Sequence, residues 1–189
     1  MPQDRTANLR FRRRQARRGF TLIETALATV IVGVGVLAMI SAQQAFHQKN
    51  QWSTQASIAM RLGNEIRELT LNMPRHDPVV GSENWGPEEN EDALADFDDL
   101  DDFDGEDGEG TVFSDSLGNG PISSRREVIP NMDGWSQTVR VFNVEQFDTT
   151  TAVDDGASEF MKVEVTIHFQ GPNDETPLEM TKVSWLARK

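Results

Sequence analysis

The sequence predicts an α+β fold in which a long N-terminal helix packs on a small C-terminal antiparallel β-sheet. Three observations predict it. An almost uncharged apolar run extends from Phe20 to about Ala45. Apolar residues then recur every three or four positions to about residue 72. Beyond Arg125 the apolar period drops to two.

The apolar run, FTLIETALATVIVGVGVLAMISAQQA, contains one charge, Glu24. About 20 apolar residues in a helix span a hydrocarbon core of ~30 Å, so residues 20–45 are expected to be the transmembrane half of the helix. Arg17 and Arg18 stand directly before it. Positive flanks stay in the cytoplasm, which sends the C-terminal body outward. A secretory signal would place its small-residue cut after a short apolar region. Here most of the run follows Ala26-Leu27-Ala28, so the run reads as an anchor. Gly33 and Gly35 interrupt it, each lowering helix propensity by ~1 kcal/mol relative to Ala. They mark either close helix packing or a segment able to loosen.

Residues 46–73 continue the helix as an amphipathic half. Trp52, Ala56, Ala59, Leu62, Ile66 and Leu69 form one stripe, with Lys49, Arg61, Glu65, Arg67 and Glu68 off it. Pro74 disfavours helix at the residue before it. At 1.5 Å per residue such a helix is on the order of 80 Å long, more than a small domain can bury.

Residues 74–124 read as an acidic, disordered loop. Glu83–Glu109 holds fourteen acids and no Lys or Arg, and self-repulsion with low hydrophobicity opposes packing. Leu94, Phe97, Leu100 and Phe103, spaced by three, fit a short helix or a docking strip. Residues 125–189 are expected to form the sheet, with strands at Thr138–Phe147, Phe160–Phe169 and Leu178–Ala187 and a phase slip near Lys182. Turn chemistry separates them at Asp154-Asp155-Gly156 and Gly171-Pro172-Asn173-Asp174. The stripe of the helix is the available cover for the sheet's apolar face.

Charge and motif content narrow the function. Residues 1–19 carry seven arginines against Asp4, a net of +6, leaving −19 for residues 20–189 out of a total of −13. So acidic a body opposes nucleic-acid binding, which needs clustered Lys and Arg. With no cysteine there is no disulfide, thiolate metal site or cysteine nucleophile. His47, His76 and His168 share no metal-binding spacing. No nucleophile elbow, P-loop or nucleotide fingerprint occurs, so no enzyme and no organic cofactor is expected. The acidic run offers calcium candidates in Asp98, Asp99, Asp101, Asp102 and Asp104, since hard cations take several carboxylate oxygens. The EF-hand pattern fails there, with Leu100 at the first ligand position and Thr111 at the twelfth.

The stretch Arg17-Arg18-Gly19-Phe20-Thr21-Leu22-Ile23-Glu24 resembles the prepilin cleavage and methylation site of type IV pilins and type II secretion pseudopilins. The likeness is strong from Arg17 to Ala45 and fainter over the rest of the helix and the sheet. Glu24-Thr25-Ala26-Leu27-Ala28 through Val34-Gly35-Val36-Leu37 is most similar to PilV-type minor pilins and I-type minor pseudopilins. The resemblance implies a bacterial inner-membrane protein whose basic leader, residues 1–19, is removed by a prepilin peptidase and methyltransferase. It would cut between Gly19 and Phe20 and N-methylate Phe20. Glu24, fifth in the mature chain, would pair with the N-terminal amine of a neighbouring subunit during assembly into a pilus or pseudopilus. Physical cost agrees: a carboxylate in a membrane helix costs about 2.5–3.5 kcal/mol and is usually paired. The competing reading of Glu24 is a favourable place at the positive helix end. The competing function is a single-pass anchored binding module, an adhesin or a divalent-cation binder working through its acidic loop.

Overall fold

A computed structural model describes residues 19–77, 81, 85–88, 91, 93–105 and 108–187. The leader expectation for residues 1–18 lies outside the described residues. The chain divides into two compact units, residues 1–48 and 49–189. One helix, α1, covers Leu22–Thr70 and contributes to both.

In the first unit α1 runs unbroken through Gly33 and Gly35. Its hydroxyls are satisfied inside the helix: Thr25 Oγ1 donates to Leu22 O at 2.9 Å, Thr29 Oγ1 to Thr25 O at 2.8 Å and Ser41 Oγ to Leu37 O at 3.0 Å. Such bonding to the preceding turn lets polar residues sit in an apolar segment without unpaired groups. An 18-residue window of α1 has a mean hydropathy of 2.2 and none of it is buried.

In the second unit the C-terminal part of α1 lies on a four-stranded antiparallel sheet. The strands are β1 (Thr111–Ser114), β2 (Trp135–Asn143), β3 (Met161–Phe169) and β4 (Leu178–Leu186), ordered β1-β2-β3-β4. Three follow the period-two pattern read from the sequence. The register pairs Val139 with Val165 and Val141 with Val163, so one face of β2 and β3 is dry: Trp135, Gln137, Val139, Val141, Met161, Val163, Val165 and Ile167 are all buried. The other face carries Arg140, Phe142, Lys162 and Glu164, with Lys182 of β4 paired to Glu164 at 2.9 Å. The phase slip expected near Lys182 is a register shift between Ile167 and His168, where Met180 is the unpaired residue. Both expected turns form: Asp174 N donates to Gly171 O, and Ala157 N to Asp154 O.

The helix stripe is shorter than the sequence suggested. Ala59, Leu62 and Ile66 are fully buried, but Trp52 is 53% exposed. Gly63 and Thr70 are buried instead. Gly63 permits the close approach, because a Cβ there would lie 2.9 Å from Val183 Cγ2. Gln137, fully buried on β2, ties three segments together. Its Nε2 donates to Leu62 O at 3.0 Å and Ile122 O at 3.1 Å, and its Oε1 accepts from Ile122 N at 2.7 Å.

The described residues of the 74–124 segment are packed rather than loose. β1 itself belongs to this segment, so the sheet begins before residue 125. A 3-10 turn, Asp101–Asp104, places Phe103 in the core with Phe97 and Leu100. Phe103 meets Phe97 edge-on at 5.2 Å and Phe113 at 6.3 Å. The segment is held by backbone-directed bonds. Arg126, with a φ of 63°, donates to Leu94 O, Ala95 O and Phe97 O. Asp104 Oδ1 accepts from Val141 N at 3.2 Å and Asp104 Oδ2 from Trp85 Nε1 at 3.1 Å. Apolar residues at every third position give a 3-10 turn one buried edge, which offsets the charge repulsion read from the sequence.

Candidate functional site

Two constellations stand out, one at the start of α1 and one in the acidic segment. At the helix start, Thr21 is the residue before the first turn and Glu24 lies in it. Thr21 N donates to Glu24 Oε2 at 3.4 Å, while Glu24 N and Thr25 N donate to Thr21 O at 3.1 and 3.2 Å. Thr21-Leu22-Ile23-Glu24 thus has the spacing of a capping box, with the Glu24 carboxylate reaching back toward an otherwise unpaired N–H. A negative group there is also favoured by the helix dipole. Glu24, Gly19 and Phe20 are all exposed, Phe20 at 78%, and among the described residues nothing lies within 4 Å of a Cβ placed at Gly19. Arg17 and Arg18 lie outside the described residues. Every residue from Gly19 to Thr54 is exposed, including Leu22, Ile23, Leu27, Val30 and Leu37. So large an uncovered apolar surface calls for lipid or protein around it.

In the acidic segment the five aspartates named from the sequence separate into two groups. Asp101 and Asp104 are used inside the fold: Asp101 Oδ2 meets His76 Nδ1 at 3.0 Å, and Asp104 bonds Val141 and Trp85. His76 also packs edge-on against Trp85. Asp98, Asp99 and Asp102 instead converge with two glutamates that sequence reasoning missed. Ligand-capable oxygens of Glu88, Asp99 and Asp102 lie within 4.8 Å of one another, as do those of Glu91, Asp98 and Asp102. Glu88 and Glu91 are brought in by a turn in which Glu91 N donates to Glu88 O and Glu88 N to Glu91 Oε2. Their three-residue spacing after Gly86-Pro87 was the only signal in the sequence.

The cluster is crowded, with Asp99 and Asp102 buried, Glu88 and Glu91 half-buried and Asp98 exposed at its edge. Asp102 Oδ2 accepts from Asp98 N and Asp99 N at 2.8 and 3.1 Å, and Asp99 Oδ1 from Asp101 N and Asp102 N at 3.0 and 3.3 Å. Asp102 Oδ1 and Glu88 Oε2 are buried without any hydrogen-bond partner, as is Oδ1 of the adjacent Asp101, whose Oδ2 meets His76. Burial drives the Asp99 carboxyl up to about 8, with Asp101 adding to the rise, and pushes Asp101 up to about 6. Asp102 is raised by burial, and Glu88 by its contact with the Glu91 carboxyl. His76 is lowered, mainly by burial.

A comparison with family models matches residues 14–40 to the prokaryotic N-terminal methylation motif. No curated protein and no solved structure matches the chain. The matched residues contain the Arg17–Glu24 stretch and most of the apolar run. Together with the uncovered apolar helix, the match supports a prepilin-like, membrane-anchored pilin. The chain carries the type IV pilin and pseudopilin signature at its N-terminus, on a pilin-like layout of one long apolar helix and a four-stranded antiparallel sheet.

Proposed function

We propose that this chain is a prepilin-like subunit cut between Gly19 and Phe20, N-methylated on Phe20, and assembled as a minor component of a type IV pilus or type II secretion pseudopilus. The observation that carries the reading is the methylation motif of residues 14–40 opening directly onto an apolar helix with no cover of its own. Residues 20–45 anchor the subunit in the inner membrane, with residues 1–19 cytoplasmic and the sheet outside. On assembly the exposed apolar surface exchanges lipid for the helices of sister subunits. Glu24 has two successive partners in this reading. In the membrane its carboxylate leans on Thr21 N at 3.4 Å, a long and weak bond. After processing, the amine of Phe20 on a neighbouring subunit is the stronger, charge-assisted partner. The partners are the prepilin peptidase and other pilin subunits, and the chain is a structural protein rather than an enzyme.

N-terminal sequencing of the protein recovered from cells tests this. N-methyl-phenylalanine at Phe20 is the expected first residue. A mature chain that keeps its arginines, or that begins inside the apolar run, overturns the proposal.

A further inference from the structure

We infer that Glu88, Glu91, Asp98, Asp99 and Asp102 form a binding site for one hard divalent cation, with calcium the ion that fits. Three observations converge. The first is geometry: two trios of carboxylate oxygens, each within 4.8 Å, share Asp102 as their common member. Oxygens at such separations fit around a single ion at the 2.3–2.6 Å distances of calcium. The second is the buried oxygen without a partner. Asp102 is 0% exposed, its Oδ2 is used by two backbone N–H groups, and its Oδ1 has no hydrogen bond; Glu88 is half-buried, but its Oε2 is likewise enclosed without a partner. A buried carboxylate oxygen is almost always satisfied, so two orphans in one cluster point to a missing partner. The third is the lack of a direct ion pair, although the charge of Arg126 is felt by Asp98. Among the described residues no ion pair reaches any of the five acids. The nearby Arg126 spends its guanidinium on three backbone carbonyls.

The ligand chemistry selects the ion. The five groups are all carboxylates, without His or Cys nitrogen or sulfur, which disfavours zinc and copper. Magnesium demands near-ideal octahedral geometry at shorter distances, whereas calcium accepts six to eight oxygens from irregular, partly bidentate sets. The site also explains a feature of the fold. The carboxylates come from Glu88 and Glu91 on one side and from residues 98–102 on the other, and the adjoining Asp104 and Phe103 dock the latter on β2 and the core. A cation at the centre would clamp both stretches to the sheet. This inference is independent of the processing reading, which rests on the N-terminus.

The test uses the full chain in detergent micelles, stripped with EDTA and titrated with calcium chloride by calorimetry and thermal melting, with magnesium chloride in parallel. A single binding heat is expected, together with a melting rise of about 5–10 °C at ~100 times Kd. Magnesium should bind at least ~10-fold more weakly. Asp102→Asn should weaken calcium binding ~10-fold or more, and Glu145→Gln, on an exposed residue outside the cluster, should leave it unchanged. Should Asp102→Asn not fold, Glu91→Gln at the partly exposed edge of the cluster decides by the same criterion. Neither heat nor melting shift in the wild type up to ~10 mM calcium overturns the inference. So does binding that neither cluster variant weakens.

Discussion

Replacing Gln137 by leucine probes the joint between helix, loop and sheet. Gln137 acts as a third strand for Ile122, giving that residue both an N–H donor and a C=O acceptor. Ile122 is fully buried and bridges Val128 without hydrogen bonds of its own to it, so the Gln137 amide is the partner of both its backbone groups. Leu62 O, by contrast, keeps its place in the ladder of α1. Gln137→Leu therefore strands two buried backbone groups at about 1–3 kcal/mol each. The added apolar surface in an already dry site returns about 1 kcal/mol. The expected net loss is about 3 kcal/mol, a large part of the ~5–15 kcal/mol by which domains are stable. Urea unfolding of the full chain in detergent, followed by the fluorescence of buried Trp135, measures it. The midpoint should fall with an unchanged slope. Gln137→Glu adds a sharper check. It preserves the acceptor for Ile122 N but turns an acceptor toward two carbonyls, so it should destabilise at neutral pH and recover partly in acid, where a protonated carboxyl donates again. A loss below about 1 kcal/mol for Gln137→Leu, or a Gln137→Glu loss that ignores pH, would refute the reasoning.

Other predictions are equally direct. Gly63→Ala gains ~1 kcal/mol of helix propensity but forces a Cβ against Val183 Cγ2 at 2.9 Å, an overpacking cost of about 1–3 kcal/mol. Thermal melting should show a net loss, and a stabilised Gly63→Ala would contradict the close contact. In EDTA the second unit should lose stability as pH rises from about 5 to 8. Asp99, with a folded value about 8 against an ordinary 3.8, and Asp101, at about 6, hold protons that the unfolded chain has already released. Asp102 and Glu88 act in the same direction, and only His76, lowered on folding, opposes them. Melting curves that rise or stay flat across that range would count against protonated, buried Asp99 and Asp101. Glu24→Val should still be cleaved yet enter filaments poorly, as read by immunoblot of sheared filament fractions; normal incorporation would remove Glu24 from assembly. Gly19→Ala should leave the precursor uncut on a gel of the membrane fraction, and normal processing there would move the cut elsewhere.

The parts of the fold that were legible in the sequence are those governed by one period over many residues. The run from Phe20 to Ala45 and the alternation of Met161–Phe169 each carry enough repeats to fix type and face. β1 was missed because four residues, TVFS, hold too few repeats. The described residues of the acidic segment are packed, against the expectation, for a different reason. Charge was averaged over Glu83–Glu109, whereas packing is decided locally by Phe97, Leu100 and Phe103 and by aspartates that turn toward backbone N–H groups. Trp52 marks the limit of the stripe argument: helical spacing places a residue on a face but does not say where the opposing surface ends. The N-terminal methylation motif was legible because it is contiguous. The carboxylate cluster was not, since Glu88 and Glu91 reach Asp98, Asp99 and Asp102 only through a loop whose path no local pattern encodes.

The register shift at Met180 has a consequence for how copies of this chain can meet. β4 is a nine-residue border strand with no further strand beside it among the described residues, the kind of edge that can recruit another strand. An extra residue there twists the border and spoils the even comb of donors and acceptors that strand-to-strand addition requires, and Lys182 adds a charge that a dry seam would have to bury. In the proposed assembly, where subunits stack through their helices, a sheet whose rim refuses to polymerise confines growth to one kind of contact, and crowding at a membrane does not turn into β-aggregation.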